Sequence, residues 1–284
     1  MVNVGYDINK YSPRQMVSIP IAIFIIACAL LSVNTLTTGM PVETGIDFAG
    51  GTAITVFTPD STESLESYFS AFPLVGISEG ISGGKYLKFG PMDDESFHDL
   101  TALVSSRYPD AKVDQIGETF GRTLHQQALL ALLFSFAGMS VVVFIAFRTV
   151  IPSLAVILSA LSDIAIAAAC MSLLGIPLTL GTTAALLMLI GYSVDSDILL
   201  TTRTLKRRGK LNEKLEGAFR TGVIMTTTTL SAIAAMWVVS SIGQVQLIAE
   251  ISVVLLIGLV IDLMNTWMLN AGLMKWYILR RDAR

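Results

Sequence analysis

The chain has 284 residues, 53% of them apolar and only 14% charged, with a net charge of −3. A soluble domain of this length lacks the interior for so many apolar side chains, and the mean hydropathy of +0.67 points the same way. Disordered, collagenous and disulfide-stapled classes are thereby excluded, which leaves a polytopic α-helical membrane protein. The net charge by itself says little about partners; no nucleic acid is expected, and no cofactor motif is seen. Cys28 and Cys170 both sit in apolar runs, and no disulfide is expected between them.

A bilayer core about 30 Å thick takes roughly 20 helical residues at about 1.5 Å each. In chain order, the first stretch of that length is Met16–Leu36. Ile25-Ile26-Ala27-Cys28 loosely imitates a lipoprotein cleavage box, but apolar residues continue to Leu36, long enough for the segment to stay as an anchor. Residues 37–125 then form the one region able to fold in water, with 13 acidic against 5 basic residues, a net charge of −8. Within it Gly51–Pro59 alternates as a strand does, Pro59-Asp60-Ser61-Thr62-Glu63 starts a helix, and Leu74–Glu79 and Lys85–Gly90 are short strands around a turn at Gly80-Ile81-Ser82-Gly83-Gly84. Asp93-Asp94-Glu95 opens a second helix that Pro109 ends, and Ala111–Ile116 is the last strand, an α+β order β-α-β-β-α-β of the ferredoxin-like kind.

Five further spans follow, at Gln127–Phe147, Pro152–Leu174, Leu180–Leu200, Val223–Ser241 and Leu247–Leu269. The domain plan is therefore residues 1–36 (cytoplasmic N-terminus and first span), 37–125 (external head) and 126–284 (five spans and cytoplasmic C-terminus). Both tails and the even connections hold 14 Lys and Arg residues, whereas the odd side holds 5, all in the head. Basic residues near span ends stay in the cytoplasm, so both termini are expected there and the head on the extracellular or periplasmic side of the cell membrane.

No phosphate-binding loop, no His pair at zinc spacing and no nucleophile elbow is present, and His98 and His125 read as surface or interface residues of the head. The chain is not expected to be an enzyme. The informative residues are acids inside spans, since an Asp at a span centre costs about 2.5–3.5 kcal/mol on insertion scales. Asp163 lies near the middle of the third span, Asp195 and Asp197 toward the cytoplasmic end of the fourth, Glu250 near the external end of the sixth and Asp262 deeper within it. Ser159 for Asp163, and Asn265 and Thr266 for Asp262, are neighbours one turn away that would satisfy a purely structural acid. Asp195 and Asp197 point about 200° apart, so at least one faces the bundle interior. Arg220, at the mouth of the fifth span, is their expected cation, with Thr226 through Thr229 continuing a polar track; alternatively the two acids mark the water boundary beside Arg203.

Gly45-Ile46-Asp47-Phe48-Ala49-Gly50-Gly51 after the first span, Ile116-Gly117-Glu118-Thr119-Phe120-Gly121 before the second, and Gly191–Asp197 with Arg220-Thr221 together resemble the SecF branch of the SecD/SecF protein-export family, its archaeal members most. The resemblance covers almost the whole chain. It implies an auxiliary subunit that joins SecD in a twelve-span complex related to the RND transporter superfamily. That complex assists the Sec channel, SecYE or SecYEG, late in the export of unfolded preproteins. In bacterial members an acid in the Gly-Tyr-Ser segment and an arginine at the start of the fifth span are linked to proton movement. The arginine matches Arg220, but the acid aligns with Ser196, flanked here by Asp195 and Asp197, so any proton coupling is shifted by one residue or absent. Gly50-Gly51 reads either as a hinge or as a tight turn that Asp47 caps. The rival functions are an RND-like small-molecule exporter or a sterol-sensing-like receptor; an intramembrane aspartyl protease would need a Gly-x-Gly-Asp type motif that the chain lacks.

Overall fold

The computed structural model describes residues 10–79, 84–207, 209–243 and 245–282. The turn expected at Gly80-Ile81-Ser82-Gly83-Gly84 therefore falls, Gly84 apart, outside the described residues. Helix α1 (Pro13–Thr38) opens with a capping box, in which Ser12 Oγ accepts the Gln15 N–H and Gln15 Oε1 accepts the Ser12 N–H, and it closes at Gly39 with φ 81°. One short turn, α2 (Ile46–Ala49), leads into the head: β1 (Gly51–Phe57), α3 (Thr62–Tyr68), β2 (Leu74–Glu79), β3 (Gly84–Phe89), α4 (Asp94–Arg107) and β4 (Lys112–Ile116). Ser61 and Asp93 cap α3 and α4 by accepting the Ser64 and Ser96 N–H groups, as the acid-rich helix starts in the sequence predict.

The four strands lie in the order β2-β3-β1-β4 with every neighbouring pair antiparallel. Each helix thus connects two strands that have a third between them. Ile54 and Val56 of β1 alternate onto the same face as Leu87 and Phe89 of β3, and Leu65 and Phe69 of α3 with Leu100 and Val104 of α4 close over them, all essentially inaccessible. This is a small core, and it is attached to membrane helices at both ends.

The remaining helices are α5 (Glu118–Phe147), α6 (Val150–Leu173), α7 (Leu180–Lys206), α8 (Leu211–Ile242), α9 (Gln246–Met264), a π-helical segment at Asn265–Asn270 and α10 (Ala271–Asp282). Among the described residues six helices, the last running through α9, the π segment and α10, are long and apolar enough to cross a bilayer. Two begin far upstream of the spans read from the sequence: α5 nine residues before Gln127 and α8 twelve before Val223. A hydropathy window sees only the length that lipid requires, and neither upstream segment contains a proline to stop the helix.

The most apolar windows of α6 and α7 are 56% and 50% buried, against 17%, 6% and 17% for α1, α5 and α8. The inner layer is therefore α6, α7 and α9, joined through Ala167, Met171, Leu186, Leu189, Val254 and Leu259. The other three long helices keep one side exposed.

Candidate functional site

The inner layer is not wholly apolar. Helix α6 contributes Ser159, Ser162 and Asp163; α7 contributes Ser193 and Asp197; α9 contributes Asp262; and the π segment contributes Asn265, Thr266 and Asn270, every one of them at most 1% exposed. A π turn accommodates one residue more than an α turn, and it brings Asn265, Thr266 and Asn270 to the same interior face.

Asn265 Nδ2 donates to Asp163 Oδ1 at 2.7 Å and lies 3.0 Å from Ser162 Oγ, while Ser193 Oγ donates to Asp163 Oδ2. Asp197 Oδ1 accepts from Asn270 Nδ2 at 2.8 Å and is 3.0 Å from Thr266 Oγ1, which is also 3.1 Å from Asp262 Oδ1. The Ser193 and Ser196 hydroxyls lie beside Asp262 as well, although the Ser193 proton is given to Asp163. Three carboxyl groups from three helices are thus strung together by hydroxyls in the order Asp163, Ser193, Asp262, Thr266, Asp197. Among the described residues none of the three is in an ion pair.

Burying an unpaired charge costs several kcal/mol even after relaxation, and hydroxyl and amide donors are the compensation supplied here. A hydroxyl has one proton, so Thr266 cannot donate fully to both carboxyl oxygens that flank it. A proton carried on either carboxyl resolves the conflict, because that carboxyl then donates to Thr266 Oγ1. Asp197 Oδ2 and Ser159 Oγ are both buried without a hydrogen-bond partner, although they belong to neighbouring groups. Among the described residues, no cation is paired with the network to fix its charge.

Of the acids singled out in the sequence, the structure brings Asp163, Asp197 and Asp262 together. Asp195 is exposed and Ser196 half-buried. Arg220 is exposed on α8, and among the described residues it forms no ion pair with Asp195 or Asp197; the polar track runs through α6, α7 and the π segment instead of α8. The reason is helical rotation: Thr227, Thr228 and Thr229 spend their hydroxyls on carbonyls of their own helix, and only Thr226 of the four is buried. Arg203 donates to the Gly217 carbonyl, tying α7 to α8. Glu250 accepts from Thr179 Oγ1 at 3.0 Å and Gln246 Nε2 at 3.1 Å, a bonded interface residue. Ser162, Ser193 and Asn270 were given no role by the sequence. Their signal is a polar residue in an apolar span at a spacing that only a widened turn or a neighbouring helix uses.

A second polar cluster joins head to bundle. Asp47 Oδ2 accepts the Leu180 N–H at 2.9 Å, so it caps α7, 133 residues away, and does not cap its own turn. Gly45 N–H donates to Leu178 O and Leu178 N–H to Glu43 O, around a parallel bridge of Thr44 with Leu178. Gly50 has φ 79° and Gly51 φ 138°; a Cβ on Gly50 would sit 2.7 Å from Glu118 Cα, and one on Gly51 would sit 2.3 Å from Phe89 O. Gly50 lets α2 press against the start of α5, where His125 stacks on Phe48 with ring centres 5.2 Å apart, and Gly51 lets the chain pass close to β3; His98 is exposed on α4.

These features define a polytopic membrane protein of six spans with a folded head and a buried hydrogen-bonded network of carboxyl, hydroxyl and amide groups. The family model described as protein export membrane protein SecD/SecF, C-terminal, matches residues 97–280. The protein-export membrane protein SecF of Methanolacinia petrolearia is 61% identical over 273 residues, 96% of each chain. Those of Haloferax volcanii and Pyrococcus furiosus are 41% and 39% identical, each over at least 94% of both chains. The chain belongs to the SecD/SecF family of protein-export membrane proteins. Its fold is similar to that of SecDF, a translocon-associated membrane protein from Thermus thermophilus, with a TM-score of 0.75 at 23% identity over 96% of this chain and 38% of that one. The rival reading, a small-molecule exporter or sterol-sensing receptor, gains no support from these relatives.

Proposed function

We propose that the chain is a non-enzymatic auxiliary subunit of the Sec translocase, acting with SecD on polypeptides late in their passage through SecYE or SecYEG, and driven by protons moving through the buried carboxyl network. The near full-length likeness to SecF chains carries the export role. The site contributes the coupling: a proton shifted along Asp163, Ser193, Asp262, Thr266 and Asp197 exchanges one satisfied hydrogen-bond pattern for another. With the proton on Asp197 Oδ2, that oxygen donates to the adjacent Ser159 Oγ, and two unpartnered buried atoms become a bonded pair.

SecD partnership has its own support. Asp195 and Arg220 are exposed near the ends of membrane helices, and the outer sides of α1, α5 and α8 are bare. A second six-span half covering that surface would supply counter-groups. The excess of Lys and Arg in tails and even connections supports a topology with both termini in the cytoplasm and the head outside the cell membrane.

The test has two parts. Purification of the native complex should recover a SecD-like chain, and deletion of this chain should slow export; isolation without such a partner together with normal export overturns the export role. In proteoliposomes containing the intact complex, Asp197→Asn or Asp163→Asn should lower proton flux by about 100-fold, the scale of a lost proton-transfer group. Asp195→Asn should leave the internal path working. Unchanged flux in Asp197→Asn and Asp163→Asn makes the network structural.

A further inference from the structure

Where α1 and α10 cross, the surface carries a groove of about 370 Å³ lined by Arg14, Val17, Ile21, Gly272, Leu273 and Trp276. The helices meet closely because residue 272 is glycine: a Cβ there would lie 2.7 Å from Val17 Cγ2 and 3.1 Å from Met16 Cβ. The crossing is fixed from the side by Lys275, whose Nζ donates to Tyr11 O at 2.9 Å. The groove runs from Arg14 in the first turn of α1 to Ile21, about 10 Å along the helix at 1.5 Å per residue. Its floor is apolar and its upper end is cationic. Arg280 lies over the Trp276 ring, 5.3 Å from its centre, so a second guanidinium stands at the same rim. Residues 10–21 and 271–282 together hold Lys10, Arg14, Lys275, Arg280 and Arg281 against a single acid, Asp282, which faces Arg281.

We propose that this groove is a binding site for one anionic phospholipid, its acyl chain lying along Val17, Ile21 and Leu273 and its phosphate between Arg14 and Arg280. Charge complementarity selects the occupant. An apolar trough that opens at the bilayer boundary under two guanidinium groups fits an amphiphile with a negative head, and basic recesses between spans are the usual seat of such lipids. Trp276 lies in the closing helix of the last span, and an indole near a span end favours the interface. The site rests on the membrane reading of the chain and is independent of export or proton movement, so failure of those assays leaves it standing.

The experiment uses the full chain extracted from nanodiscs of mixed phosphatidylglycerol and phosphatidylcholine and weighed by native mass spectrometry. Wild type should retain one phosphatidylglycerol with a roughly tenfold preference over phosphatidylcholine. The Arg14→Gln, Arg280→Gln pair should bring the preference near unity, and Ser18→Trp, which fills the groove from an exposed position, should remove retention of both lipids. Arg148→Gln, at another span end, should change nothing. Equal retention of the two lipids by wild type, a preference that survives the double variant or Ser18→Trp, or a dimer mass with no lipid bound, overturns the proposal.

Discussion

Asp197 takes two donors on one oxygen, and Asn270 is the donor without another bonded partner in the network. Asn270→Ala should therefore destabilise the bundle by about 1–3 kcal/mol, the usual cost of orphaning a buried polar group, read as a lowered Tm in detergent. In the head, Asp60 sits under Tyr108 and Arg107, with Tyr108 Oη donating to Asp60 Oδ2 at 2.7 Å and Arg107 Nη2 at 3.0 Å. The Tyr108 hydroxyl above all, then Thr58 and Arg107, hold the Asp60 carboxyl below its ordinary value of 3.8. Burial first, and then the bond to Asp60, push Tyr108 from 10.0 up to about 12. A lowered acid stabilises the fold above its unfolded value and loses that contribution as pH falls through the folded one. A raised phenol stabilises below 10.0 and loses its contribution as pH rises through about 12. Thermal unfolding of the head, followed by near-ultraviolet circular dichroism, should show both losses in wild type and weaker ones in Tyr108→Phe. At this scale the sequence displayed the buried acids because Asp within an apolar run is conspicuous. It hid their partners, since Ser193, Asn265 and Asn270 reach carboxyls on other helices, where local spacing carries no information.

At the scale of elements, caps and close approaches decide the ends that hydropathy leaves open. Helix α7 is capped by Thr179 from within and by Asp47 from the chain leaving α1. Asp47→Ala should cost about 1 kcal/mol, with faster amide exchange at Leu180 and its neighbours as the specific readout. The crossing of α8 with the π segment depends on Gly222, where a Cβ would lie 2.2 Å from Trp267 Cζ2. Trp267 is only 2% exposed and meets Phe219 edge-on, so it cannot swing away cheaply. Gly222→Val should lower stability by about 1–3 kcal/mol through overpacking, measured as loss of Tm with the helical signal retained. The six spans were legible because about 20 apolar residues in a row have few other uses. The π segment was not legible: nothing in Asn265-Thr266-Trp267-Met268-Leu269-Asn270 marks a widened turn until the polar residues are seen to share one face.

At the scale of the molecule, the proposed orientation predicts that a cysteine at Ser61, exposed on the head, reacts with an impermeant maleimide in intact cells, while one at Ser12 reacts only after lysis. The reverse pattern removes the topology. The proposed second half rests on the uneven burial of the helices, which composition alone cannot show. The stitch of Thr44 and Gly45 to Leu178, with Asp47 on Leu180, has a mechanical result. The head hangs from α1 and α5 and is also keyed to the outer tip of α7, the rod that bears Ser193 and Asp197 further down. Leu180 to Asp197 is about 26 Å of rigid helix at 1.5 Å per residue. In the proposed orientation a pull on the head should therefore work that rod like a crank handle, and a load applied outside the bilayer should be felt among the acids inside it.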